Sequence, residues 1–144
     1  MKKLIVYYLF LFLSNVLIAQ NHELGLVTIK ELEEKVHPIE KDATAAVLFE
    51  TGKTQLKYKI ENRNSFIEII ANVTTKIKIY KKEGYSYANI EVPIYVGEID
   101  KENVVFSNAY TYNLVNGKVE KTKLKSDEVI IEKIDKNFSK VKIS

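Results

Sequence analysis

The chain contains no cysteine and no tryptophan, and its 144 residues include only two prolines, two histidines and a single arginine, Arg63. Without a thiol there is no disulfide, no lipid attachment at cysteine and no cysteine nucleophile. Positive charge is therefore almost all lysine, so the planar guanidinium forks that read bases or phosphates are missing. Net charge is +3, and removing Lys2 and Lys3 with a leader leaves +3 − 2 = +1, too little for the basic footprint of a nucleic-acid binder. His22 and His37 have no acidic partner at ligand spacing and read as surface residues rather than a metal site. There is no Gly-rich phosphate loop, and no Ser accompanies a His and an acid in a recognisable arrangement. Asp127 and Glu128 are neighbours on a polar turn, where solvation accounts for them better than acid/base work. The sequence thus offers no catalytic, cofactor-binding or metal-ligating set, and no repeat or low-complexity tract.

The sequence is rich in apolar residues, at 46%, enough for one domain with one core. Residues 1–19 carry the three parts of a secretory signal: basic Lys2-Lys3, an apolar run from Leu4 to Leu13, and Leu17-Ile18-Ala19 ending in a small residue. The competing reading, an uncleaved anchor, meets a stretch shorter than the roughly 20 residues of a spanning helix, interrupted by Ser14-Asn15. A cleaved leader predicts a periplasmic or secreted protein of a Gram-negative bacterium, with no stable membrane insertion afterwards.

Residues 20–41 read as a short helix and linker. Thr28-Ile29-Lys30-Glu31 is a capping-box pattern, Leu32 and Val36 lie one turn apart, and Pro38 stops the helix. Residues 42–144 read as strands. Ala45 to Phe49 and Leu56, Tyr58 and Ile60 predict a hairpin turning at Thr51-Gly52-Lys53, and the polar run Glu61 to Ser65 delivers the chain into the longest alternating stretch, Phe66 to Tyr80. There, Ile67, Ile69, Ala71, Val73, Thr75, Ile77 and Ile79 fall on one side, predicting a core face, with a bend or a bulge near Asn72. Pro93 makes the strand from Ala88 to Ile94 an edge or ends it there, because proline cannot donate to a ladder. Asn116-Gly117 suits a type I′ turn and sets the register Val115–Lys118, Leu114–Val119 and Tyr112–Lys121. Val129 to Ile134 and Phe138 to Ile143 complete the strands, joined at Lys136-Asn137. The fold class is all-β, mainly antiparallel and β-sandwich-like, with one short N-terminal helix after the leader. Tyr80, Tyr85, Tyr87, Tyr95, Tyr110 and Tyr112 either form an aromatic platform for a glycan or peptide or cover the outer face of a sheet.

Four segments appear in order: Asp42 to Phe49, Lys76 to Gly84, Ala88 to Pro93 and Thr111 to Val119. Together, over about Leu24 to Ile143, the chain resembles the domain of unknown function that precedes a transglutaminase-like domain in exported proteins of Gram-negative bacteria. The resemblance implies a β-sandwich-like accessory domain whose chemistry lies in a following papain-like domain with its Cys, His and Asp. None of those catalytic residues maps onto this chain. Phe138 to Lys142 resembles a run that in the family leads into further strands, so the resemblance implies a domain incomplete at its C-terminus: a truncated product or fragment, or one half of something a neighbour completes. The implied partners are a downstream transglutaminase-like domain, or a second copy paired at an open sheet edge near Val141 to Ile143.

Overall fold

A computed structural model describes residues 26–61, 63–98 and 100–143; the leader, His22 and the cleavage region lie outside them. The described chain is mostly antiparallel β with one short helix, α1, at Ile29–Glu33. Seven strands follow: β1 (Ala45–Glu61), β2 (Asn64–Ile79), β3 (Ile90–Tyr95), β4 (Tyr110–Val115), β5 (Lys118–Lys123), β6 (Ile130–Lys133) and β7 (Phe138–Ile143). Two 3-10 helices, Lys82–Ala88 and Ser126–Glu128, make the connections before β3 and before β6. The strands form a β1–β2 ribbon, a three-stranded sheet in the order β3-β7-β6, and a β4–β5 hairpin.

The ribbon is the largest element and differs from the sequence expectation. Instead of turning at Thr51-Gly52-Lys53, β1 runs straight through Gly52, which pairs with Val73, and the chain reverses beyond Glu61, where Arg63 adopts φ 67°. Glycine weakens a strand only modestly, and β2 supplies an uninterrupted partner, so pairing along the full length outweighs the local turn signal. The bulge sits in β1, not at Asn72: Val47 pairs with Ile77 and Phe49 with Lys76, leaving Leu48 without a partner. Asn72 is in regular register with Lys53.

The expected core face of β2 is largely open. Ile67, Ile69 and Val73 are exposed, whereas Ile77 and Ile79 near the end of the strand are half-buried. Alternation fixes which side chains share a face, but it does not determine whether anything covers that face. Among the described residues the buried apolar side chains are Ile94 and Val141, both on the β3-β7-β6 sheet. A sandwich needs two apolar inner faces in contact, and the apolar face of the ribbon lies open at Ile67, Ile69 and Val73.

Elsewhere the pattern reads through. Val115–Lys118, Leu114–Val119 and Tyr112–Lys121 pair as the Asn-Gly turn dictates, with Asn116 at φ 50° and Gly117 at φ 74°. Pro93 lies on the edge strand β3. The turn into β7 is held by Asp135, whose Oδ1 accepts the N–H groups of Asn137 (2.7 Å) and Phe138 (2.8 Å). The stretch Val141 to Ile143 is not an open edge, because β7 is central: Val141 pairs with Val92 on one side and Ile131 on the other. The free edges of that sheet are β3 and β6.

Candidate functional site

Two surfaces stand out, and both belong to the ribbon. The first is an ionic clasp that fastens α1 to the polar side of β2. Thr28 caps the helix, its Oγ1 accepting the Glu31 N–H at 3.1 Å, as the capping-box pattern predicts. The Glu31 carboxylate, however, reaches Lys76 at 2.8 Å instead of returning to the cap. Lys78 is buried, at 9% exposure; its ammonium donates to Glu34 Oε2 at 2.7 Å and to the Glu31 carbonyl, and it sits 4.8 Å from the centre of the Tyr80 ring. A buried lysine needs such partners, because an unpaired ammonium away from water is expensive. The hydrogen bond from Lys78 holds the Glu34 carboxyl below its ordinary range, against the opposing effect of burial. The helix ends at Glu33, well short of Pro38, and Val36 is exposed.

Tyr80 and His37 close the clasp. Their rings meet edge to face, with centroids 5.8 Å apart, and His37 Nδ1 accepts the Glu40 N–H at 2.9 Å. The Tyr80 hydroxyl is buried without a hydrogen-bond partner. Burial, and then the charges of Glu34 and Glu31, push its pKa up. At the same corner the Thr44 carbonyl accepts two N–H groups, from Tyr80 (2.8 Å) and Lys81 (3.1 Å).

The other tyrosines are distributed over separate elements. Tyr85 and Tyr87 project from the first 3-10 helix at 62% and 61% exposure. Tyr87 also borders a groove of about 170 Å³ with Ala45, Ala46, Val47 and Ile77. Tyr95, on β3, packs edge to face against Phe138 of β7 at 5.6 Å. Tyr110 and Tyr112, on β4, lie 6.3 Å apart, and the Lys121 ammonium occupies the space over them, 3.7 Å from the Tyr110 ring centre. The pair on β4 thus already holds a cation of the chain itself, while Tyr85 and Tyr87 remain free to meet a ligand.

The second surface is the uncovered face of the ribbon. Five consecutive cross-strand pairs share it: Ile60–Ser65, Tyr58–Ile67, Leu56–Ile69, Thr54–Ala71 and Gly52–Val73. No charged side chain lies among these ten, whereas the opposite face carries Lys53, Lys57, Lys59 and Glu68, with Lys59 and Glu68 bonded at 2.8 Å. Nothing in the local sequence signals the clasp, since its partners are 44 to 47 positions apart.

These features define an all-β chain with a long two-stranded ribbon, one face tied to a helix by ion pairs and the other apolar and open. Comparison with known proteins found no matching family model, no matching curated protein and no matching solved structure.

Proposed function

We propose that the chain is a non-catalytic, exported accessory or binding domain of the kind that precedes a transglutaminase-like domain, working by docking and not by chemistry. The observation that carries this reading is the charge-free apolar face of the ribbon, with Leu56, Tyr58, Ile67 and Ile69 each more than 60% exposed. Contiguous apolar surface of this kind marks a place where another surface sits. The four segments that resemble the family, and the signal-like residues 1–19, supply the expected setting: periplasmic or secreted, beside a domain that carries the Cys, His and Asp. The sandwich-like arrangement implied by the resemblance then arises when a partner covers the ribbon. The coding DNA past Ser144 tests this: a continuing frame with a transglutaminase-like region supports it, and a stop codon overturns the fused form. Intact mass of periplasmic material tests export, with the mature chain expected to start within a few residues of Gln20.

The exposure of Tyr85 and Tyr87 favours a second reading, a free-standing periplasmic module that binds a glycan or peptide. Because the chain has no tryptophan, its intrinsic emission comes from tyrosine alone. Titration with peptidoglycan fragments is expected to change that emission in the parent chain and not in Tyr85→Ala; no change in either overturns this reading.

A further inference from the structure

We infer that the occupant of the open ribbon face is a second copy of this chain, packed face to face about a two-fold axis; the inference rests on the reading of that face as a docking surface. Three observations support it. The first is area. Leu56, Tyr58, Ile60, Ile67, Ile69 and Val73 each expose between 63% and 69% of their surface. At roughly 100 Å² of apolar surface for a large side chain, six of them offer about 600 Å². Val47 lies on the same side beyond the bulge but is cut off from these six by the exposed Glu50, so about 600 Å² per partner is what the stripe offers, the lower end of a standard interface.

The second observation is charge. A face selected for a differently charged partner displays complementary charge, and this one displays none over five cross-strand pairs; the first charged side chain on it, Glu50 paired with Thr75, lies beyond Gly52 at its margin. A neutral face meets no like-charge repulsion from its own copy.

The third is shape. Along the ribbon the face is high at one end, with Tyr58–Ile67 and Leu56–Ile69, and low in the middle, where Thr54, Ala71 and Gly52 carry small side chains or none. An axis between the Leu56–Ile69 and Thr54–Ala71 pairs sets each high end over the low stretch of the other copy. The Leu56–Ile69 pair of one protomer then covers Thr54 and Ala71 of its partner, and Tyr58–Ile67 covers Gly52 and Val73. An isologous contact requires this self-complementarity. A two-stranded ribbon is also marginal alone in water, and stacking two of them about 10 Å apart makes a four-stranded layered core.

Sedimentation and light scattering of the mature chain are expected to give a discrete species of twice the mass that intact-mass measurement assigns to that same chain. Ile69→Lys, which places a charge at the centre of the contact, is expected to weaken the dimer at least about tenfold. Asn72→Lys, on the opposite face, is expected to leave it intact. Since Ile69→Lys is able to disturb the ribbon itself, a second measurement uses the absence of cysteine from the chain. With Ala71→Cys as the only thiol, a bismaleimide of about 10 Å span, matching the spacing of stacked sheets, is expected to link two chains. Asn72→Cys is expected to remain unlinked. A monomer at all concentrations overturns the inference, as does a dimer linked through Asn72→Cys and not through Ala71→Cys. If the chain is monomeric and instead binds a transglutaminase-like domain through Leu56 and Ile69, the second copy is overturned while the docking reading stands.

Discussion

At Gly84 the backbone leaves no room for a side chain: a β-carbon there would lie 2.4 Å from the Thr44 carbonyl oxygen and 2.8 Å from its carbon. The neighbour is main chain, and that carbonyl already holds Tyr80 and Lys81, so it has nowhere to retreat. Gly84→Ala is therefore expected to cost about 1–3 kcal/mol, as overpacking does, visible as a lower denaturant midpoint. Tyr80→Phe is expected to go the other way. Its hydroxyl is buried and unpartnered, whereas the ring contacts with Lys78 and His37 need only the aromatic face and edge. Leaving a polar group unpaired costs about 1–3 kcal/mol, so the phenylalanine variant should melt no lower than the parent and gain up to about 1 kcal/mol. A clear loss of stability would show that the hydroxyl is satisfied in solution. Neither residue announces itself in the sequence. Gly84 sits in a Lys-Glu-Gly run that reads as an ordinary break, and Tyr80 reads as one more aromatic at a strand end.

Among the elements, the β4–β5 hairpin is the most legible, because its register follows from two adjacent residues that tolerate positive φ. Gly117→Val places a branched side chain at φ 74° and is expected to lower stability by about 1–3 kcal/mol in thermal melts. The ribbon was legible in its alternation and not in its turn: Gly52 carries the same local signal as a hairpin glycine, and only the continuous partner strand decides against it. The tyrosines show the same limit, since strand-like spacing identified them but left open which of them meet. Ion pairs between neighbouring strands, and between the helix end and β2, carry a definite pH signature. Glu34 and Glu132 are held below the ordinary carboxylate value of 4.5, by hydrogen bonds from Lys78 and Lys142. Their contribution is present above that value and is lost as pH falls through the lower folded one. Lys59 and Lys140 are raised above 10.5 by Glu68 and Glu91, so their contribution is complete below that value and fades as pH climbs through the higher folded one. The melting temperature should be flat between about pH 5 and 10 and decline on either side, with shallow slopes that added salt flattens further, because Glu34 and Glu132 are exposed and Lys59 and Lys140 only half-buried.

For the whole molecule, stability is expected to depend on how much chain is present. A protein that buries only Ile94 and Val141 among its described apolar residues has little core to hold it as a monomer. Its thermal midpoint should rise with protein concentration, as mass action requires wherever association covers surface that unfolding exposes. A midpoint independent of concentration would mean that the ribbon face contributes nothing by being covered. The all-β class, the edge position of Pro93 and the strands through Ile143 were legible because each rests on local chemistry. The open face was not, since exposure is a relation between segments and has no local sign.

The extra residue at Leu48 reconciles two counting frames. Before it, odd-numbered Val47 shares a side with Ile77; after it, even-numbered Leu56, Tyr58 and Ile60 share that same side with Ile69, Ile67 and Ser65. One unpaired position thus brings Val47 onto the side of Leu56, Tyr58 and Ile60, with Glu50 between them on that side. For a gene, this makes codon 48 unlike its neighbours. Losing it would leave Val47 opposite Ile77 and Phe49 opposite Lys76, with every side chain further along still on its present side. Losing any one codon between Phe49 and Glu61 would turn the strand over from that point, carrying lysines onto the apolar stripe and leucine and tyrosine off it. Length variation in this strand should therefore be tolerated at one place and selected against everywhere else.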